Sequence, residues 1–323
     1  MEVEASLTVG IWGAGLIGRA LAHHLINSGL PVCILNRSIE KPVRIGDTEL
    51  PMRRLCFSAT EEEMAFAMQG LSVLVHCAGS VSDDYAEFEM AAVRIAKAAI
   101  KARMTRVIML STVAVYGQAI EEDGLKTGLL VGKDLLPAPA TRYAQSRYRA
   151  EISMRRILEG ARVDFSVIRI PMVLGPGMTA NTFTKLRKVL DKGIYPAFGS
   201  PTASLPCIRS DRLAQSLTAL VTVPGPLLPV YQFAECLPWK EVVDSYLAKT
   251  GGRVWSLPLP GRLILGLFSL LGFYRLTIMV RAMMNEAVYL DDAGLLIPLS
   301  NEGSRPIIAP LHAESLLDEV LWP

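Results

Sequence analysis

Short apolar runs alternate with longer segments whose apolar positions fall three or four residues apart. Leu7–Trp12, Val32–Leu35, Val73–Val75, Arg106–Leu110 and Val163–Ile170 read as buried strands. Segments beginning at Leu16, Thr60, Tyr85, Arg142 and Asn181 read as helices, and Glu61, Glu62 and Glu63 load the first turn of one of them. Strand and helix therefore take turns, the pattern of an α/β chain built on a parallel sheet. Residues 40–52, rich in turn formers and charge, read as a surface excursion. Leu263–Phe273 is strongly apolar and flanked by Arg262 and Arg275. A membrane span needs about 20 such residues, so this stretch predicts a buried helix of a second lobe in preference to a helix lying in a membrane surface.

The first strand breaks into Gly13-Ala14-Gly15-Leu16-Ile17-Gly18 before its helix begins. This is G-x-G-x-x-G between strand and helix. Gly13 permits the turn, Gly15 admits a pyrophosphate, Gly18 allows close helix packing, and Leu16 and Ile17 open the helix whose N-terminus favours the anion. The expected fold is thus a Rossmann-type doubly wound parallel sheet with a smaller C-terminal substrate lobe. Its dinucleotide-binding domain spans 1–175, with 203–230 returning to it, and 176–202 with 231–323 form the lobe. The second strand ends in Asn36-Arg37-Ser38. With no carboxylate there to bond a ribose 2′-hydroxyl, the arginine and neutral donors favour NADP(H), with NAD(H) as the other option. The third strand read from the pattern closes in His76-Cys77-Ala78-Gly79, whose small residues let the sheet edge approach a ligand, while His76 reads as a packed, hydrogen-bonded residue.

Composition narrows the class. Hydrophobic residues make up 51% and charged residues 20% of 323, which describes a folded chain with little room for disorder. The 33 basic and 31 acidic residues are dispersed, so nothing in the charge points to nucleic acid. Five cysteines, Cys33, Cys56, Cys77, Cys207 and Cys236, form no C-x-x-C pair, which argues for reduced thiols, a cytoplasmic setting and no metal. The start MEVEAS lacks the cationic region of a secretory signal.

Five motifs occur in order: GAGLIG, VLVHCAG, RVIMLSTVAVYG, YAQSR and SVIRIPMVLGPG. Together they resemble the extended short-chain dehydrogenase/reductases, the group of NAD(P)-dependent epimerases, dehydratases and related reductases. The resemblance runs from Leu7 to about Leu220. It implies Thr112 as the hydroxyl that bonds a substrate oxygen, Tyr143 as the acid/base at that oxygen, and Pro171 at the junction to the substrate lobe. It also implies a homodimer. Free tyrosine ionises near pH ~10, and the family sets a lysine one turn away to favour the phenolate. This chain carries Arg147 there, which keeps the charge but on a longer planar fork that does not release a proton. The change admits an active enzyme with Arg147 in the electrostatic role, or a site that only binds.

Two further departures bear on ligands. Trp12 stands where the family has glycine, and Leu205 stands where sugar-nucleotide members carry a diphosphate-gripping arginine. No acidic residue near Cys56-Phe57-Ser58 matches the family's adenine contact. Loss of the arginine and the apolar lobe favour an NADP(H)-dependent oxidoreductase acting on a carbonyl or hydroxyl carbon of a fairly apolar small metabolite. The alternatives are a sugar-nucleotide epimerase or dehydratase with tightly held NAD(P), and a non-catalytic dinucleotide-binding subunit.

Overall fold

The computed structural model describes residues 7–79, 84–117, 130–176, 178, 181–198, 203–273, 280, 283–284 and 287–293. The first six residues, part of the loop after Gly117, Arg275 and the C-terminal residues of the expected lobe lie outside these ranges.

The main sheet contains β1 (Val9–Trp12), β2 (Val32–Asn36), β3 (Met52–Arg54), β4 (Val73–His76), β5 (Arg106–Thr112) and β6 (Asp164–Ile170). β7 (Met172–Leu174), β8 (Ile194–Ala197) and β9 (Ser204–Arg209) leave it, and β10 (Val230–Gln232) returns as its last strand. The spatial order is β3-β2-β1-β4-β5-β6-β10, parallel at every pairing. This is the doubly wound arrangement. Both faces are covered, which explains why the strands read as unbroken apolar runs. Val107 and Met109 face one core while Ile108 and Leu110 face the other.

Helices α1 (Leu16–Asn27), α2 (Glu61–Met68), α3 (Tyr85–Lys101) and α4 (Arg142–Gly160) follow from their caps as well as their apolar faces. At α2, the Thr60 hydroxyl accepts from Glu63 N at 3.2 Å, and Thr60 N donates back to the Glu63 carboxylate at 2.8 Å. Asp84 accepts from the amides of Ala86 and Glu87 to start α3. The alanines of α3, among them Ala91, Ala92 and Ala99, are buried and let it pack closely on α4.

After β6 the chain enters α5 (Asn181–Leu190), then α6 (Ser210–Thr222), which lies against α1. Of residues 203–230, expected as a return to the dinucleotide domain, β9 runs instead in a three-stranded sheet between β7 and β11 (Glu235–Pro238). α6 and β10 belong to the main body, and β10 carries Tyr231 and Gln232 with it. α7 (Trp239–Thr250), the strand β12 (Trp255–Pro258) paired with β8, and α8 (Gly261–Leu270) complete the described lobe.

One expectation gains detail and one is corrected. The excursion at 40–52 holds a short antiparallel pair, Arg44–Ile45 with Thr48–Glu49, that buries Val43 and Leu50. It leads into β3, an edge strand whose two arginines and short length hide it from an apolar pattern. The helix predicted over Leu263–Phe273 is α8, and it is not buried: Gly261 and Leu265 are covered, while Leu263, Leu267 and Leu270 face outward. Apolar periodicity reports what a helix could bury on each side. Here Phe198, Val280 and Met284 cover one side alone.

One buried charge pair ties α4 to the sheet. Glu151 and Arg169 meet at 2.8 Å with side chains 4% and 5% exposed, and the Ser111 hydroxyl donates to the same carboxylate. Arg169 also donates to the Tyr116 hydroxyl at 2.9 Å. Removing one partner of such a pair strands the other charge. Glu151→Ala is therefore expected to lower unfolding stability by about 3–5 kcal/mol, measured by urea denaturation.

Candidate active site

Strand order reverses between β1 and β4, and ligands in open parallel sheets bind outside the carboxyl ends at that reversal. Trp12 and His76 end the two strands in register. Gly13 follows with φ +110°, where a Cβ would stand 3.0 Å from the backbone of Ala78. A Cβ on Gly18 would collide with the carbonyl oxygen of Gly13, so turn and helix are pressed together. Gly15 caps α1 with open space around it and no side-chain cap. The first amides of α1 are thus left to an anion.

Two cavities meet at this edge. A crevice of about 840 Å³ is lined by Gly13, Gly15, Asn36, Arg37 and Ser38, with Lys41, Glu40 and the segment Leu55 to Ser58 on its far side. A smaller pocket of about 170 Å³ is lined by Ile17, Ser111, Thr112, Tyr143, Arg147 and Pro171. Cys77, Ala78 and Gly79 line both, so one continuous groove runs from the second strand's end to the top of α4. That length, with an uncapped helix N-terminus midway, fits an extended dinucleotide. Leu16 and Gly18 line neither cavity; Leu16 points at Gly175, where a Cβ would stand 2.8 Å from it. The segment Cys56-Phe57-Ser58, which lacks an acidic residue, nevertheless borders the crevice.

Thr112, Tyr143 and Arg147 are brought together by separate elements. β5 delivers Thr112, whose hydroxyl accepts from Ala114 N at 3.1 Å and turns the chain into a short 3-10 segment, Val113–Tyr116. Thr141 caps α4 through Ala144 N at 3.2 Å, setting Tyr143 in the first turn. One turn on, the Arg147 guanidinium lies 5.2 Å from the Tyr143 ring centroid and 3.8 Å from that of Phe88. It also fills the space beside Gly79, where a Cβ would come within 2.5 and 2.8 Å of its two terminal nitrogens.

Beneath Arg147 lies a column of rings that the motifs do not signal. Phe88 stacks on His76 at 5.9 Å, and His76 stacks on Trp12 at 4.8 Å, with Phe57 tilted against all three. The indole at the glycine turn is accommodated here. His76 is packed as expected, and its Nδ1 has no hydrogen-bond partner among the described residues. Burial, helped by the nearby Arg147 charge, lowers its pKa to about 3. Burial alone raises the Cys77 thiol to about 12, so it stays neutral. Among the described residues no cluster of His, Cys, Asp and Glu could hold a metal ion.

The NAD dependent epimerase/dehydratase family matches residues 10–200, more than half of the chain. The chain belongs to this family. A UDP-glucose 4-epimerase of Vibrio cholerae is 27% identical over 207 residues, covering 60% of this chain and 61% of that protein. The match thus spans about three fifths of that relative's length. In fold, this epimerase/dehydratase family member resembles the UDP-glucuronic acid 4-epimerase of Bacillus cereus, solved with NAD, at a TM-score of 0.69 and 16% identity over 97% of this chain and 95% of that one. It also resembles WbmG of Bordetella bronchiseptica, solved with NAD and UDP, at 0.59 and 21% over 78% and 82%. At such identities the likeness is one of fold.

The histidine column has a pH consequence. Below the ordinary histidine value of 6.5 the unfolded chain binds a proton at His76 that the folded chain refuses until about pH 3. This residue therefore removes about 1.4 kcal/mol of stability per pH unit as pH falls through that window. His76→Phe is expected to lose less stability than the parent between pH 6.5 and 4.5, measured by denaturant melts at each pH.

Proposed function

We propose that this protein is a dinucleotide-dependent epimerase or dehydratase of nucleotide-linked sugars. The observation that carries this reading is the meeting of Thr112, Tyr143 and Arg147 in one pocket that opens at Cys77–Gly79 onto the crevice above the glycine turn. Family membership and the sugar-nucleotide relatives support it.

When bound, the nicotinamide supplies a reversible hydride acceptor. The chain supplies the rest. The amides at the start of α1 hold the pyrophosphate, and Cys77, Ala78 and Gly79 form the floor across which the cofactor passes. The Thr112 hydroxyl donates to the reacting substrate oxygen, and the Tyr143 hydroxyl takes or returns that oxygen's proton. Arg147 brings a fixed positive charge to the same pocket, and its stack on Phe88 holds that charge in place. The adenosine end carries Arg37, Lys41, Ser38 and Asn36 without a carboxylate on the strand end, which supports NADP(H) over the NAD(H) seen with the fold's neighbours.

A second reading, net oxidation or reduction of an apolar metabolite, is favoured by Leu205. It is buried in the lobe core beside Leu237, where a phosphate-binding arginine would be needed.

Assays with UDP- and dTDP-linked hexoses, followed by proton NMR, are expected to give an epimerised or dehydrated sugar without net consumption of cofactor. Turnover of apolar ketones alone, with stoichiometric NADPH loss, would establish the second reading. In either case Tyr143→Phe is expected to lower kcat by about 10²–10⁴-fold while the dinucleotide Kd moves by less than about twofold. By isothermal titration calorimetry, Arg37→Asp is expected to weaken NADP⁺ by at least about tenfold and to spare NAD⁺.

A further inference from the structure

The face formed by α8 and β12 is apolar, exposed and bordered by cations. Trp255 is 84% exposed, Leu263 74% and Leu270 85%, with Leu257, Leu267 and Leu271 each half-exposed or more. On α8 the spacing 263, 267, 270, 271 makes one outward stripe, while Gly261, Ile264, Leu265 and Phe268 turn inward. The helix is therefore apolar on two adjoining sides, and Arg262, Gly266 and Ser269 are left for the third.

Charge distinguishes this face from an ordinary protein contact. Residues 251–273 contain Arg253 and Arg262 and no aspartate or glutamate. β8 and β12 run parallel with Ile194 opposite Trp255, so Lys192 and Arg253, each two residues upstream, emerge at the same end of the pair. All three cations are exposed. Asp191, next to Lys192, is half-exposed, but its carboxylate is engaged by the Tyr246 hydroxyl at 2.6 Å and by Arg187 at 4.0 Å.

We propose that this face rests on the surface of an anionic lipid bilayer. α8 has 10 residues, half of what a crossing needs, and no helix among the described residues is long and apolar enough to span. A short helix with leucines on its outer side, an exposed indole alongside and arginines at the margin lies in the plane of the headgroups, leucines down. The cations meet the negative headgroups, each strengthening attachment about fivefold. The active-site groove opens on the carboxyl edge of the main sheet, and no residue of this face lines it.

The full-length chain is tested by sedimentation with vesicles of phosphatidylcholine containing one quarter phosphatidylglycerol, and with vesicles of phosphatidylcholine alone. Binding is expected to the anionic vesicles and to fall at least tenfold without the anionic lipid. Arg253→Glu with Arg262→Glu is expected to weaken it by about 25-fold or more, and Leu263→Asp with Leu267→Asp to abolish it. Both pairs change exposed side chains, and an unchanged Tm verifies folding. The proposal is overturned by failure of the parent to sediment, or by sedimentation that neither pair alters. A dimer in light scattering that Leu263→Asp with Leu267→Asp dissolves, in a parent that ignores vesicles, would assign the face to a second copy. Vesicle binding gained only on removal of residues 294–323 would assign it to the chain's own C-terminal segment. Both outcomes overturn the proposal, and neither touches the reading of the active site.

Discussion

The contact between the Glu151 carboxylate and the Arg169 guanidinium holds the geometry of the candidate site together. Thr112 arrives on a strand and Tyr143 on a helix, and no covalent or local constraint relates them. Glu151 sits two turns along α4 from Tyr143, and Arg169 lies in register with Ser111, the residue before Thr112. By accepting from Ser111 and binding Arg169, the carboxylate fixes the helix against both strands within a turn or two of the Thr112 and Tyr143 hydroxyls. A buried pair of this kind contributes less to net stability than its short contacts suggest, because both ions were dehydrated to form it. Its service is to position.

At the opposite end of the sheet another arginine closes the loop connections. Arg106 pairs with Asp164 at 2.7 Å and donates to the carbonyls of Leu220, Val223 and Gly225, satisfying the C-terminus of α6 before the chain enters β10. The sheet is thus clamped at its amino edge by neutralised charge and left open at its carboxyl edge, where a ligand can supply what the protein does not.

Much of this was legible along the chain. The glycine turn and most strands follow from local rules, since each depends on neighbours within one turn or one strand, whereas Thr112, Tyr143 and Arg147 are singled out by the resemblance of their motifs to the short-chain family. The unreadable parts depend on distant partners. Glu151 in α4 looks like any helix glutamate until Arg169 is brought beside it. β3 is held by β2 more than by its own residues. Trp12, His76 and Phe88 are 64 and 12 residues apart in turn, so their stacking is a product of topology. The rings of Trp12 and Phe88 take both faces of the His76 imidazole, and nothing local to the strand end announces them. The outward leucines of α8 failed for a related reason: periodicity shows that a surface is apolar, and only the fold shows whether anything covers it.

The arginine in the lysine position belongs to this column. A lysine ammonium has no planar face to lay on Phe88, whereas a guanidinium does, and Gly79 leaves room for its width. From the glycine turn to the pocket of Thr112 and Tyr143, indole, imidazole, phenyl and guanidinium form one continuous pile. Such a pile shares its displacements, because a ring cannot shift without its neighbours following. Changes at positions 76 and 88, which touch within the pile, are thus thermodynamically coupled, and positions 12 and 147 meet only through them.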